Sequence, residues 1–368
     1  MDQSRRTARS TLVLVALALA LLAGACSSGG GSTTADPSRA TEPTDAPTTA
    51  APSTTTTAAP VLVPWTGPVE HLFFHTLVMR PDLAFTKGSE GQGFLDYFVT
   101  VGEFCKILDQ LYANGWTLVD IHKAARGQLM VPAGRKPFVL SVDDVNFYDN
   151  TRGHGVGWRL VLDPAGDVKV EVRDDQGTRV TDDDLVPIVD QFVAAHPDFS
   201  AEGAKGVIAL TGYEGLFGER VELVDDPDHA AAVARATAIA DRLKATGWLL
   251  ASHSYGHIDL NKASIGYVRS DAEKWLAEAT PIIGPTDIYI YAYGAAPKPG
   301  SPKVDLLRDL GFTIQCDIDK VPRLVHVDGV DVMSRRHIDG IAFAQQGANL
   351  AGLFDVSTVE DAAARVPH

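Results

Sequence analysis

A Phe-Val-Leu-Ser-Val run at residues 138–142 leads straight into two adjacent carboxylates, Asp143 and Asp144. Such a run, apolar on both faces, reads as a strand of a parallel sheet covered by helices. Two unpaired carboxylates cannot lie inside that core. They belong at the strand's carboxyl end, where α/β enzymes place their chemistry. Asp-rich turns also follow strands for local reasons, and the pair alone fits a solvated turn equally well.

The surrounding chain repeats the same alternation. Residues 71–78 read as a first strand with His75 near its end, and Thr100 precedes a helical pattern at Phe104, Ile107, Leu108 and Leu111. Asn114-Gly115 closes that helix, and residues 116–121 form a strand. Further strands are expected at 206–210, 248–252, 288–293 and 312–317, with helices at 229–244, 268–279 and 304–310 between or beside them. Residues 324–327 and 330–333 read as a closing pair, and the tail after Gly340 is weakly patterned. The alternation marks a parallel α/β layout. Residues 151–181 break it, with a β-hairpin expected from 158–162 and 168–172 as an insertion over the mouth of the site. Asp182, Asp183 and Asp184 resemble calcium ligands, but their place before Leu185, Ile188, Val189 and Phe192 suits a helix cap.

The amino-terminal stretch belongs to no such pattern. Three arginines within residues 4–10 precede an apolar run at 12–22, too short for a spanning helix, and small residues then lead to Cys26. This resembles a bacterial lipoprotein signal over residues 1–26, with Cys26 as the lipidated residue; cleavage as an ordinary secretory signal is the alternative. Both imply export. Residues 27–64 are rich in Ser, Thr, Pro and Ala with little to bury, so a disordered tether is expected. Residues 65–368 then suit one large barrel or two smaller domains. The net charge of −15, with no basic cluster outside the signal, argues against a nucleic-acid partner. Cys105 and Cys316 are free to bridge in an oxidising exterior or to stay buried as thiols.

His253 and His257 stand four apart just after the strand at 248–252. That spacing places two imidazoles on one side of a turn, and Asp144 adds a carboxylate. Two histidines and one carboxylate form the ligand inventory of a catalytic zinc site with open positions. Non-haem iron oxygenases share the inventory but not this order. Asp143 is then free to take a proton from an attacking water, so the set suits metal-assisted hydrolysis of an amide or ester.

Ser141-Val-Asp-Asp144, His253-Ser-Tyr-Gly-His257 and Tyr291-Ala-Tyr-Gly294 resemble the first three motifs of the polysaccharide deacetylases (NodB homology domain, carbohydrate esterase type). The resemblance covers most of residues 70–340. It implies a distorted (β/α)7 barrel of the TIM kind and removal of N- or O-acetyl groups from cell-surface glycans with a divalent metal, zinc foremost. Carried over, Asp143 is the general base; Asp144, His253 and His257 are the metal ligands. Tyr293 lines the acetyl pocket, its backbone amide a candidate oxyanion donor, and His75 is a groove residue or simply a hydrogen-bonded histidine. The chain departs from the family at Ile290, where an arginine that orients the base is usual, and in lacking the tryptophan of the fourth motif. Arg335 or Arg336 is the candidate replacement, and His326 or His337 the candidate general acid. A surface carbohydrate-binding or scaffold role on a degenerate barrel is the alternative to catalysis.

Overall fold

A computed structural model of the chain describes residues 61–368. Cys26, the expected signal at 1–26 and the expected linker up to residue 60 lie outside the described residues. In chain order the strands are β1 (Leu62–Pro64), β2 (Glu70–Phe74), β3 (Trp116–Leu118), β4 (Met130–Pro132), β5 (Lys136–Val142), β6 (Arg159–Leu162) and β7 (Val168–Asp174). They continue as β8 (Gly177–Thr181), β9 (Gly206–Leu210), β10 (Trp248–Ser252), β11 (Ile288–Ile290), β12 (Ile314–Ile318), β13 (Leu324–Val327) and β14 (Val330–His337).

β2, β5, β9, β10, β11, β12 and β14 pair in parallel in that order, and β14 pairs again with β2. Seven parallel strands therefore close on themselves, as the expected (β/α)7 barrel requires. The closure is uneven. β5 and β9 meet only at Ser141–Val207 and Val142–Ile208, and β3 pairs with the amino-terminal half of β5 instead. β13 runs back antiparallel on β14, and β1 pairs with β4, so ordered structure begins ahead of Trp65.

Strand alternation divides the apolar residues into two clusters. Val139, Val207, Ala209, Ala251, Ile290, Cys316 and Met333 belong to one. Leu72, Phe138, Leu140, Ile208, Leu250 and Tyr289 belong to the other, together with helical residues such as Phe104, Ile239 and Trp275. The first set occupies the inner register of the barrel and the second packs under the surrounding helices. Local signals set those helices: Thr100 and Glu103 form a capping box ahead of Val101–Ala113, and Asp184 caps Leu185–Ala195. The tail after Gly340 is more regular than its sequence suggests, with a helix at Gly340–Leu350.

The insertion differs from expectation in two ways. It is a three-stranded antiparallel sheet, β6–β7–β8, and it packs against the helices Leu185–Ala195 and His229–Ala245. None of its three strands lines the cavity at the carboxyl ends of the barrel strands, although Thr151, ahead of them, does. Its apolar side (Leu160, Val168, Val170, Val172) merges with the outer cluster because the strands bury one face only. Cys105 and Cys316 are both free thiols, so no bridge joins them.

Candidate active site

The carboxyl ends of the barrel strands converge on one cavity of about 700 Å³. Asp143 and Asp144 follow β5, His253 follows β10, His75 follows β2, and His337 ends β14; all five line it. Alternation explains the selection: Val139, Ser141 and Asp143 share the inner register of β5, as Met333, Arg335 and His337 share that of β14.

Asp144, His253 and His257 form a group able to hold a metal ion, their candidate ligand atoms all within 4.8 Å of one another. Asp144 Oδ1 lies 3.9 Å from His253 Nε2 and 3.8 Å from His257 Nε2, too far for hydrogen bonds. The His253 Nδ1–H donates to the Ile290 carbonyl oxygen at 2.8 Å, which leaves Nε2 bare and turned toward Asp144. Burial holds His257 below its ordinary pKa despite Asp144, favouring the neutral imidazole that a metal needs. Two imidazole nitrogens and one carboxylate make a donor set that fits a divalent metal ion.

Asp143 is held differently. Its Oδ1 accepts from Arg335 Nη1 at 2.7 Å, while Oδ2 faces His253 Nε2 at 3.8 Å. Arg335 is fully buried, with its guanidinium 4.1 Å over the Phe73 ring. Burial alone would raise the Asp143 carboxyl; the Arg335 guanidinium chiefly outweighs it and holds the pKa at about 2. Arg335 thus supplies the cation missing at Ile290. Arg336 points the other way, to Glu70 and the Asn349 carbonyl, as its neighbouring register demands.

The candidate acids separate as clearly. His326 lies on β13, exposed and paired with Asp331, and takes no part in the cavity. His337 lines the cavity, but its Nδ1–H donates to Asp339 at 2.8 Å and its Nε2 faces the Gln346 amide. His75 donates from Nδ1 to the Tyr97 carbonyl at 2.9 Å, and its Nε2 stands 3.9 Å from Asp144 Oδ2. Of the three, His75 has its unclaimed nitrogen on the metal group.

The loops carrying these residues are backbone-strained. Asp144, Ser254, His257 and Tyr293 all take positive φ, between 49° and 63°. Asp271 restrains the His253–His257 loop, its carboxylate accepting from the Tyr255 and Gly256 amides at 2.8 Å each. The sequence reading missed Asp271. Its signal was an acidic residue on the core stripe Val268, Asp271, Ala272, Trp275. Tyr293 is 70 % exposed at the rim, its ring edge-on to His257 at 4.4 Å.

No family model and no curated protein matches the chain. Solved structures do. The chain is similar in fold to polysaccharide deacetylases. A de-N-acetylase from Aggregatibacter actinomycetemcomitans matches at 14% identity and TM-score 0.46, over 78% of this chain and 100% of that one. A polysaccharide deacetylase from Bacillus cereus matches at 13% and 0.45, over 78% and 69%. A Streptococcus pyogenes deacetylase in complex with acetate matches at 13% and 0.45, over 77% and 94%.

Proposed function

We propose that the chain is a metal-dependent hydrolase that removes acetyl groups, as amide or ester, from cell-envelope carbohydrate. One observation carries the reading: Asp143 is fixed through Oδ1 by Arg335 and turns Oδ2 toward the Asp144–His253–His257 group. When bound, the metal supplies an electrophile for the acetyl oxygen and lowers the pKa of water beside it. Asp143, ionised well below neutral pH, takes the proton of the attacking water. His75, as the imidazolium, hands its Nε2 proton to the departing amine or alcohol and keeps its Nδ1 proton on the Tyr97 carbonyl. Tyr97, Tyr213 and Tyr293 line the cavity and give a sugar ring apolar faces to lie against. Arg335 answers one of the two departures that favour a degenerate, non-catalytic barrel, the arginine missing at Ile290. Export and a lipid anchor at Cys26 complete the proposal; no helix among the described residues is long and apolar enough to cross a membrane.

The test is elemental analysis of residues 61–368 beside acetate release from acetylated glycans. The unaltered chain is expected to hold about one transition metal, and Asp144→Ala and His253→Ala to lose it while staying folded. Asp143→Asn is expected to keep the metal and lose turnover. Unchanged metal content in the first two variants, or full activity in the third, sinks the assignment.

A further inference from the structure

The oxygen of Asp144 that faces both histidines has another partner. Tyr148 Oη donates to Asp144 Oδ1 at 2.7 Å. The phenol is buried, and because a carboxylate oxygen only accepts, the hydroxyl is the donor. Its own oxygen lies 2.9 Å from the Thr211 hydroxyl, which can donate in turn. The ring is stacked on Tyr213, centroids 5.1 Å apart and planes 20° from parallel.

The segment between Asp144 and Tyr148 is shaped to bring them together. Asp144 and Phe147 both take left-handed backbone, φ 63° and 51°, so the chain doubles back within four residues. Arg220 clamps the returning strand of the loop, donating to the Asn146 carbonyl at 3.2 Å, the Phe147 carbonyl at 2.9 Å and Asp149 at 2.7 Å. Asn146 locks it to the next barrel strand, its side chain exchanging hydrogen bonds with the Thr211 backbone at 3.1 Å in both directions. Ring packing alone would be served by phenylalanine. The hydroxyl reaches only Asp144 and Thr211.

We propose that Tyr148 is a positioning residue for the metal centre: its hydroxyl fixes the rotation of the Asp144 carboxylate so that Oδ1 meets His253 and His257. The inference rests on the metal-site reading above. A free carboxylate swings about its Cβ–Cγ bond, and ligand partners of this kind set metal affinity by orientation and by drawing off ligand charge.

The experiment compares zinc dissociation constants and the visible spectra of the cobalt-loaded forms of the unaltered chain, Tyr148→Phe and Thr211→Val, with circular dichroism as the control for folding. Tyr148→Phe is expected to weaken zinc binding about 10–100-fold and to alter the cobalt absorption, with unchanged circular dichroism. Thr211→Val, which removes the hydroxyl that orients Tyr148, is expected to shift both in the same direction by less, and carries the test should Tyr148→Phe not fold. Unaltered affinity and spectrum in the folded variants overturns the role of Tyr148 while leaving the metal site standing. Absence of zinc from the unaltered chain overturns both.

Discussion

Removing Arg335 as Arg335→Met isolates the buried ion pair behind the proposed base. Asp143 is 3% exposed and titrates at about 2, against an ordinary 3.8, with burial opposing the shift and Arg335 chiefly producing it. That depression corresponds to about 2 kcal/mol of stability. Because the folded pKa is the lower one, the contribution is present above pH 3.8 and is lost as pH falls toward 2. With Arg335 gone, burial is opposed only by the weaker pull of the neighbouring His253 and His75, and the carboxyl rises. Stranding a buried charge costs about 3–5 kcal/mol, and protonation relieves part of it. The metal-free Arg335→Met variant should therefore lose about that much in urea denaturation at neutral pH, and less under mildly acidic conditions. Asp143→Asn added to Arg335→Met should restore about 2–3 kcal/mol, the coupling of a contacting pair. Additive losses in the cycle, or an equal loss at both pH values, would refute the reasoning.

His122 bridges Asp120 and Asp287 at 3.3 and 2.8 Å and is raised by them to about 9. Its contribution, about 1–2 kcal/mol after allowance for partial exposure, is present below pH 6.5 and lost as pH climbs to 9. His122→Ala should flatten that limb of a stability–pH curve. Gly294 sits at φ 62° with room for no Cβ, since one would meet Ile318 Cδ1 at 2.5 Å. Gly294→Ala should cost about 1–3 kcal/mol by thermal unfolding and raise KM through displacement of Tyr293. His75→Ala should lower kcat about 10²–10⁴-fold with metal content unchanged, whereas His337→Ala should lower it less. The reverse order in steady-state assays would return the acid's role to His337.

The barrel was legible because its strands are short apolar runs with helical patterns between them. Gly206–Leu210 and Trp248–Ser252 match residue for residue, and both end at the site. β14 was legible only to Met333, since Ser334-Arg-Arg-His337 carries charges that no isolated strand can bury. They are buried because Asp143 and Glu70 neutralise them from 192 and 266 residues away, which no local window contains. Extending the alternation from Met333 would have put Arg335 and His337 inward and Arg336 outward. The strand expected through Tyr293 stops at Ile290, because Tyr293 takes positive φ and the chain turns there. β8 escaped notice because Gly177–Thr181 is largely solvated and carries no apolar face. The candidate metal group was readable from spacing; the partner of Asp143 was narrowed only to Arg335 or Arg336.

The ion pair that orients Asp143 joins the second strand of the barrel to its last. All three candidate metal ligands lie before residue 258, whereas Arg335 arrives only when β14 slots between β12 and β2. A chain shortened before Val330 keeps the metal-holding side chains but leaves the ring open and the base unrestrained. The contact that fixes the Asp143 carboxylate is thus withheld until the last strand of the barrel is in place.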